Sequence, residues 1–479
     1  MAHDARPTGQ MLQFVRLHKQ GPLLRPSEVR RGDFDEIAED FDPRAAAQQA
    51  SRCSQCGVPF CQVHCPLGNH IPDWLMLVSA GRLRDAWALS QRTNPMPEVC
   101  GRVCPQDRLC EGNCVLERSE HGTVTIGAVE RWLTDLAFKS GWVLPLPTAQ
   151  TRSQRVGIVG AGPAGLAAAE RLRAMGYGVD IYDRHDRAGG LLMYGIPNFK
   201  LDKAIVERRV KVLTDGGVRL HLGVEVGKTL PFSALRLRHD ALLIATGVYA
   251  ARPLGIAGDD LPGVVEALDF LIAANRAGLG DAPGPQAATL QAAGKRVVVI
   301  GGGDTAMDCV RTAVRQGATE VTCVYRRDRA NMPGSQKEVG YAEAEGVVFR
   351  WLSAPLALLG EGRVQAVRCG PVVLGPPDMT GRRQPMVQQS GATDIAADLV
   401  IRALGFSPEN LTRGWDAPDL KATSFGTLCV DDTLQTTMPG VFAAGDIVQG
   451  ASLVVHALRD GRDVAAQMHR YLLSHAPRS

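Results

Sequence analysis

Two segments of the chain share one pattern, in which a short apolar run passes into a glycine-rich turn and then into a helix-like stretch. The pattern occurs at residues 156–182 and again at residues 296–325. The first turn reads G-x-G-x-x-G over residues 160–165, and the second reads G-x-G-x-x-A over residues 301–306. A strand, a tight turn and a helix in this order form the repeating unit of a doubly wound parallel sheet. The sequence therefore predicts two dinucleotide-binding domains in one chain.

The three glycines of the first turn have distinct structural roles. Gly160 permits the tight turn, and Gly162 lets the backbone approach a pyrophosphate closely. Gly165 lets the following helix pack near the strand, so that the N-terminus of the helix faces the phosphates. The next strand ends at Asp183, about 20 residues further on, where a carboxylate can hold a ribose diol. Because strand, glycines, helix and acid occur in order, we interpret this segment as a dinucleotide site.

The second turn is followed by a different kind of residue. Its candidate nucleotide contacts are Gly301, Gly303, Asp304 and Thr305. The next strand ends in Arg326 and Arg327, at the place where an NAD site carries an acid. Arginines there can bind a 2′-phosphate through charge-assisted hydrogen bonds, which favours NADPH over NADH. The alternative is a solvated surface turn, and the neighbouring Asp328 keeps that alternative open.

Two later segments indicate which nucleotide the first turn binds. Residues 243–247 (LIATG) and 440–446 (GVFAAGD) are apolar runs that end in small-residue turns. Both resemble signature segments of flavoproteins with two dinucleotide-binding domains, in which the second segment places its Asp at the ribityl–phosphate end of FAD. The resemblance implies that the first turn binds FAD and that residues 191–197 line the flavin. The candidate FAD contacts beyond the first turn are Gly190, Leu191, Thr246, Gly247, Gly445 and Asp446.

The chain has 12 cysteines, and most of them form a dense group before both nucleotide segments. In a chain without a visible secretory signal, such a group indicates metal or redox chemistry rather than disulfides. Closely spaced thiolates can hold iron–sulfur clusters, and the group is large enough for two [4Fe–4S] clusters. Zinc is the less favoured alternative, because it typically uses two CxxC pairs and a single CxxC occurs here. The grouped cysteines are Cys53, Cys56, Cys61, Cys65, Cys100, Cys104, Cys110 and Cys114.

The order of these segments matches a known family. A cysteine-rich region comes first, then the FAD segment, the NADPH segment and the final Gly-Asp segment. Residues 53–61 (CSQCGVPFC), 100–110 (CGRVCPQDRLC) and 189–197 (GGLLMYGIP) carry most of the likeness. The chain resembles the small (beta) subunit of bacterial NADPH-dependent glutamate synthase, and it also resembles the N-terminal half of dihydropyrimidine dehydrogenase. The resemblance covers nearly the whole chain.

The resemblance implies how the cysteines divide between two clusters. One [4Fe–4S] cluster would be held by Cys53, Cys56, Cys61 and Cys114. The other would be held by Cys65, Cys104, Cys110 and a fourth ligand. Cys100 is one candidate for that ligand. Glu130 is the rival, because it stands at the position of a glutamine ligand in the pyrimidine-degrading relative.

The resemblance also implies an activity. NADPH would deliver a hydride to FAD, and the [4Fe–4S] clusters would pass single electrons to a large (alpha) subunit. That partner would carry FMN and the amidotransferase site, and it would make glutamate from glutamine and 2-oxoglutarate. No side chain of this chain is expected to act as an acid or base, since the cofactors carry the chemistry.

Two alternatives to that activity stay open. In the same class, the chain would be the electron-input subunit of another NAD(P)H:acceptor oxidoreductase, either dihydropyrimidine dehydrogenase-like or sulfur-metabolising. In a different class, it would be a non-enzymatic nucleotide-binding scaffold with a structural metal. The partner chain distinguishes the first alternative, and visible absorption by flavin and iron–sulfur clusters distinguishes the second.

Length and charge set the remaining expectations. A chain of 479 residues is too long for one core and suggests about three domains. We expect an all-α iron–sulfur domain at residues 1–147, followed by two Rossmann-like α/β domains. The FAD-binding domain would comprise residues 151–255 and 405–479, on either side of an NADPH-binding domain at 256–404. A formal net charge of +3 gives no sign of a nucleic-acid or membrane partner, and without an apolar signal segment a cytoplasmic protein is expected.

Overall fold

The computed structural model describes residues 9–146, 152–379 and 383–475. The first of these ranges folds into helices joined by loops, and it contains no β-strand of more than an isolated bridge. Between α4 and α5, Gly81 has a φ of +73°, a left-handed conformation that ends the first of the two helices. The helices of this region are α1 (Ser27–Arg30), α2 (Pro43–Ser51), α3 (Phe60–Val63), α4 (Ile71–Ser79), α5 (Leu83–Gln91), α6 (Pro97–Val103) and α7 (Ile126–Lys139).

The rest of the described chain alternates strands and helices. Its strands are β1 (Arg155–Val159), β2 (Gly178–Asp183), β3 (Arg219–Leu222), β4 (Ala241–Ile244), β5 (Ala250–Ala251), β6 (Val264–Glu266), β7 (Arg296–Ile300), β8 (Glu320–Val324), β9 (Val348–Arg350), β10 (Ser353–Leu359), β11 (Ala366–Pro377), β12 (Arg383–Val387), β13 (Thr393–Ala396), β14 (Leu399–Arg402), β15 (Phe406–Ser407) and β16 (Val441–Ala443). Its helices are α8 (Pro163–Ala174), α9 (Leu191–Tyr194), α10 (Lys203–Asp215), α11 (Phe232–Arg238), α12 (Ala267–Gly278), α13 (Asp304–Arg315), α14 (Gln336–Ala344), α15 (Leu411–Gly414), α16 (Asp446–Gln449) and α17 (Val454–Ser474).

The first parallel sheet contains the first glycine-rich turn. Its strand order is β16-β4-β1-β2-β3, and all of its strand pairs are parallel. Strand β1 is buried from its second residue onward, which is why its sequence is an apolar run rather than an alternating one. The long helix α17 packs against α8 in the core of this domain. Strands β1 to β4, which precede the second nucleotide domain in the chain, and β16, which follows it, therefore build one sheet.

The second parallel sheet contains the second glycine-rich turn. Its strand order is β6-β14-β7-β8-β9, and β7 is again an apolar run that is buried from its second residue. An antiparallel sheet of β10, β11, β12 and β13 follows β9. Strands β5 and β15 pair antiparallel where the chain enters and leaves this domain. These sheets confirm the predicted class of two Rossmann-like domains after an all-α domain.

The positions of the domain boundaries remain predictions. Strands β5 and β15 lie next to the predicted boundaries at residues 255 and 404. The boundary predicted between residues 147 and 151 lies outside the described residues. No helix within the described parts of the chain is both long and apolar enough to cross a membrane.

The helical domain is joined tightly to the first nucleotide domain. Met96, Val99 and Cys100 of the helical domain belong to the same buried core as the first parallel sheet. In that interface the guanidinium of Arg209 donates two hydrogen bonds to Glu98, at 2.6 and 2.9 Å, and both side chains are buried. Because a buried ion pair is costly unless its geometry is good, this bidentate contact favours one relative orientation of the helical domain and the first nucleotide domain.

Candidate nucleotide and iron–sulfur sites

The first glycine-rich turn is closed at two positions and open at the one between them. Gly160 has a φ of +110°, and a Cβ there would lie 2.3 Å from the carbonyl oxygen of Ala245. A Cβ on Gly165 would lie 2.0 Å from the carbonyl oxygen of Gly160. At Gly162, by contrast, a Cβ would meet nothing within 4 Å. No atom of the described chain would clash with a side chain at Gly162, and this open backbone fits the close approach of a pyrophosphate.

One cavity brings the predicted FAD contacts together. Besides the turn, it is lined by Asp183, Gly190, Leu191, Thr246, Gly247, Gly445 and Asp446. The hydroxyl of Thr246 is buried there without a hydrogen-bond partner among the described residues. A buried polar atom without a partner is costly, so this hydroxyl fits a ligand that completes its hydrogen bonding. The residues present thus fit FAD.

Two carboxylates border this cavity, and their pKa values are shifted in opposite directions. Burial raises the pKa of Asp446 to about 6, while the hydroxyl of Ser452 donates a 2.7 Å hydrogen bond to it. Burial opposes ionisation of Asp183 as well, but hydrogen bonds from His185 and from the backbone N–H of Ala161 hold its pKa below the usual range. The Ala161 bond is 2.7 Å long and ties the carboxylate to the glycine-rich turn. Asp183 is therefore an ionised acceptor at the position predicted to hold a ribose.

The second turn repeats this backbone geometry. Gly301 has a φ of +152°, and a Cβ there would lie 2.3 Å from the carbonyl oxygen of Ala403. A Cβ on Gly303 would meet nothing within 4 Å, as at Gly162. Asp304, the first residue of α13, accepts a 3.0 Å hydrogen bond from the backbone N–H of Ser335. Thr305 is half-buried beside it, and the open backbone at Gly303 fits a second pyrophosphate.

The arginines after β8 differ in their availability. Arg326 is exposed and makes no ion pair or side-chain hydrogen bond among the described residues. Arg327 is only 8% exposed, and its Nε donates a 2.9 Å hydrogen bond to the carbonyl oxygen of Arg383. Asp328 accepts a 2.9 Å hydrogen bond from the backbone N–H of Asn331. Of the two predicted phosphate contacts, Arg326 is therefore the one whose guanidinium remains available.

The first cysteine set is gathered at one place. Burial, together with the nearby thiols of Cys56 and Cys114, raises the pKa of Cys53 to about 11 and that of Cys61 to about 12. Thiols in such surroundings stay protonated unless a positive centre compensates the thiolate charge. Iron provides that compensation, so the predicted set fits a cluster.

The second set surrounds a separate small cavity. It is lined by Cys65, Cys100, Cys104, Cys110 and Glu130, together with Asn69 and Asn94. The two amides donate hydrogen bonds of 2.9 and 3.1 Å to Oε1 of Glu130, and burial raises the pKa of Glu130 to about 7. Both candidates for the fourth ligand, Cys100 and Glu130, thus line the same cavity.

The grouping of ligands is looser than a site for one ion. Across the described ranges 9–146, 152–379 and 383–475, no three His, Cys, Asp or Glu side chains lie close enough to hold a single metal ion. A [4Fe–4S] cube binds each thiolate to a different iron, so its ligands stand farther apart than those of one tetrahedral zinc ion.

Sequence reasoning missed one residue that lines the predicted FAD cavity and one that holds the neighbouring segment in place. Tyr249 lines the cavity, and burial raises the pKa of its phenol. The buried Lys203 donates a 3.0 Å hydrogen bond to the carbonyl oxygen of Leu192 and another to that of Ile196. Lys203 thus fixes the segment predicted to line the flavin. Neither residue belongs to a recognisable spacing, and a lysine at a helix N-terminus carries no signal in a single sequence.

Comparisons with known proteins follow the division seen in the structure. Residues 30–142 match the family model of dihydropyrimidine dehydrogenase domain II, 4Fe–4S cluster. Residues 154–461 match that of the pyridine nucleotide-disulphide oxidoreductases. The glutamate synthase [NADPH] small chain of Azospirillum brasilense is 57% identical over 464 residues, which cover 96% of each chain. The chain belongs to the glutamate synthase small-chain family. The small chain of Escherichia coli K12 is 44% identical over 467 residues, or 96% of this chain and 98% of that one.

A solved structure shares the fold of the two nucleotide domains of this small-chain family member. Mycobacterium tuberculosis FprA in complex with NADPH aligns with a TM-score of 0.57 and 23% identity, over 67% of this chain and 85% of that one. The chain is an NADPH-dependent flavin iron–sulfur oxidoreductase that serves for electron input. The predicted family resemblance and the predicted kinds of cofactor are thereby confirmed.

Proposed function

We propose that this chain is the electron-input subunit of a cytoplasmic glutamate synthase and works with a large (alpha) subunit. The observation that carries the proposal is near-full-length identity of 57% with a glutamate synthase [NADPH] small chain. The large subunit would carry FMN and the amidotransferase site and would form glutamate from glutamine and 2-oxoglutarate. When bound, FAD and the iron–sulfur clusters would convert the hydride chemistry of NADPH into single-electron transfer.

The FAD site is proposed at the first turn. Gly162 would admit the pyrophosphate, and Asp183 would accept hydrogen bonds from a ribose. Asp446 would lie at the other end of the same cavity, next to Gly445. The backbone of residues 190–191 and the hydroxyl of Thr246 would complete it. These residues bind and orient; none of them needs to transfer a proton.

The NADPH site is proposed at the second turn. The open backbone at Gly303 would admit the pyrophosphate, near the N-terminus of α13. The free guanidinium of Arg326 would bind the 2′-phosphate and would set the preference for NADPH. Arg327 would support this turn through its bond to the carbonyl oxygen of Arg383.

Two [4Fe–4S] clusters are proposed for the helical domain. The first would be held by Cys53, Cys56, Cys61 and Cys114, and the second by Cys65, Cys104 and Cys110 with either Cys100 or Glu130. Comparing Cys100→Ser with Glu130→Ala, which leaves no oxygen ligand at this position, decides between these two. The variant that lacks the true ligand should lose iron or change the electron paramagnetic resonance spectrum of the second cluster. The other variant should keep the iron content and spectrum of the wild type.

Reconstitution tests the proposed function directly. The chain should co-purify with the large subunit encoded beside it, and the mixture should form glutamate from glutamine, 2-oxoglutarate and NADPH. The chain alone should reduce a dye with NADPH but should form no glutamate. Co-purification with a different oxidoreductase, and no glutamate formation with the large glutamate synthase subunit, would replace the proposal with the alternative of another acceptor.

A further inference from the structure

A loop of the helical domain touches the second glycine-rich turn. The loop runs from Cys104 to Cys110 and is called the 104–110 loop here. One guanidinium nitrogen of Arg108, Nη2, lies 3.3 Å from Oδ2 of Asp304, and the other terminal nitrogen donates to the carbonyl oxygen of Pro333. A loop that carries two predicted cluster ligands thus contacts the first residue of the helix that follows the predicted NADPH turn.

The neighbouring residue of the loop makes a parallel contact. Asp107 accepts a 3.1 Å hydrogen bond from the hydroxyl of Ser335 and a 3.2 Å bond from the backbone N–H of Gln336, at the start of α14. The 333–335 segment between these contacts lies on the turn itself, because the N–H of Gly334 donates a 3.0 Å hydrogen bond to the carbonyl oxygen of Gly302. Asp107 and Arg108 therefore hold a segment that covers the turn.

The charges explain why this contact matters for an anionic ligand. Asp304 lies within one residue of the open backbone at Gly303, where a pyrophosphate would bind, and an uncompensated carboxylate there repels it. Arg108 approaches one carboxylate oxygen, and the N–H of Ser335 bonds to the other. The helical domain thus supplies a positive charge that offsets Asp304, in addition to the helix dipole of α13.

We propose that Arg108 and Asp107 are positioning residues for NADPH, through which the iron–sulfur domain completes the NADPH site. Arg108 acts by compensating Asp304, and Asp107 acts by anchoring the 333–335 segment. The inference rests on the proposed NADPH site at the second turn. Since coupling between two sites is reciprocal, NADPH binding also stabilises the 104–110 loop in this conformation.

The geometry of the loop leaves it little freedom of its own. The N–H of Arg108 donates a 3.0 Å hydrogen bond to the carbonyl oxygen of Pro105, and a Cβ on Gly112 would lie 1.8 Å from the carbonyl oxygen of Asp107. A displacement of Cys104 or Cys110 would therefore move Asp107 and Arg108 with it. The state of the second cluster site and the affinity for NADPH are coupled by this route.

Equilibrium binding of NADP+ to the FAD- and cluster-loaded chain, measured by calorimetry, tests the proposal. Arg108 is 40% exposed and Asp304 34%, so Arg108→Ala should raise the Kd for NADP+ by roughly threefold to fivefold. In dye reduction the same variant should raise KM for NADPH and leave kcat unchanged. Arg82→Ala is the matched control, because Arg82 forms an exposed pair with Asp85 in the same domain, and it should leave the Kd unchanged.

A second pair of variants separates charge compensation from a loss of local structure. In an Asp304→Asn background, where no negative charge needs compensation, Arg108→Ala should change the Kd by less than about twofold. Arg108→Lys keeps the charge and should restore most of the affinity. An unchanged Kd in Arg108→Ala, an equal loss in both backgrounds, or an Arg108→Lys variant as weak as Arg108→Ala would each overturn the proposal.

The proposed NADPH site can fail separately from this inference. Gly303→Val should abolish NADP+ binding, because its side chain fills the open backbone at the turn. If Gly303→Val binds NADP+ normally, the nucleotide site is misplaced and the inference falls with it. If Gly303→Val loses binding while Arg108→Ala does not, the site stands and only the contribution of the iron–sulfur domain is refuted.

Discussion

At the first glycine-rich turn the cavity is lined by one domain, whereas the second turn is also contacted by a loop of another domain. Both turns have an open central glycine, Gly162 and Gly303, and a first glycine pressed against a carbonyl oxygen. The first turn opens into a cavity built from the FAD-type domain alone, while Arg108 of the helical domain reaches Asp304 at the second. The shared backbone fits a pyrophosphate at each turn, and the different surroundings determine which other parts of the chain can affect nucleotide binding there.

The largest effects on nucleotide binding are expected at the two central glycines. Gly162→Val should yield folded protein with little FAD, because the valine side chain occupies the space of the pyrophosphate. Gly303→Val should keep its FAD and lose NADP+ binding, for the same reason at the other turn. Flavin absorbance and calorimetry with NADP+ measure the two effects. Full FAD retention in both variants, or reversed outcomes, would show that the order of the two sites is wrong.

Single cysteine replacements test the difference in surroundings. Cys61→Ser and Cys110→Ser should each lose iron, and neither should support glutamate formation with the large subunit, because electrons then cannot leave the chain. Both should keep FAD and the capacity to reduce a dye with NADPH.

The two cysteine variants should differ in nucleotide affinity. Cys110 is the last residue of the 104–110 loop, and its displacement would move Arg108. Cys110→Ser should therefore raise the Kd for NADP+ about as much as Arg108→Ala, roughly threefold to fivefold. Cys61 lies in the other cysteine group, and Cys61→Ser should leave the Kd unchanged. Equal values of the Kd in the two variants would show that the second cluster site is not coupled to NADP+ binding more strongly than the first.

A diagnostic effect on nucleotide preference is expected at the arginines after β8. Arg326→Ala should lower the ratio of kcat/KM for NADPH to that for NADH by about tenfold or more, since a charge-assisted phosphate contact is worth about 1.5–3 kcal/mol. Arg327→Ala should change this ratio little, because the Arg327 side chain bonds to a backbone carbonyl. Arg329→Ala is the control, since Arg329 pairs with Glu343 on the surface. An effect of Arg327→Ala as large as that of Arg326→Ala would contradict the assignment.

The sequence predicted what depends on local backbone rules and missed what depends on distant contacts. Two strand–turn–helix units follow from glycine spacing and apolar runs, so the fold class could be predicted from the sequence. The difference between Arg326 and Arg327 was not, because it arises from the carbonyl oxygen of Arg383 on β12. The contact of Arg108 with Asp304 joins residues 196 positions apart, and no local sequence pattern predicts it.

The choice of the fourth cluster ligand shows the same limit. The family resemblance left Cys100 and Glu130 as candidates, and both residues line one cavity of the structure. The environment of Glu130 comes from α5 and from loops before α4 and α6, whose Ser90, Asn69 and Asn94 donate to Oε1. A single sequence gives no information on such a convergence. Both candidates therefore stand after the structure, and the iron content of the Cys100→Ser and Glu130→Ala variants distinguishes them.

The last predicted effect concerns the buried hydroxyl of Thr246, and it has opposite signs in the FAD-free and the FAD-loaded chain. Thr246 stands after β4 where Leu404 stands after β14, so the first nucleotide domain has a polar group that the second lacks. Thr246→Val should leave the FAD-free chain as stable as the wild type or more so, because an unpaired buried hydroxyl is removed. In the loaded protein it should weaken FAD binding by about 1 kcal/mol, roughly fivefold in Kd.

The control for this prediction is Thr312→Val. The Thr312 hydroxyl is also buried and without a hydrogen-bond partner among the described residues, but it lies in α13 of the other domain. Thr312→Val should stabilise both states and leave the FAD affinity unchanged. Thermal unfolding of FAD-free and FAD-loaded chains, together with FAD titration, measures both variants. If Thr246→Val shifts both states in the same direction, as Thr312→Val should, then the hydroxyl of Thr246 is a packing defect of the fold and does not bind FAD.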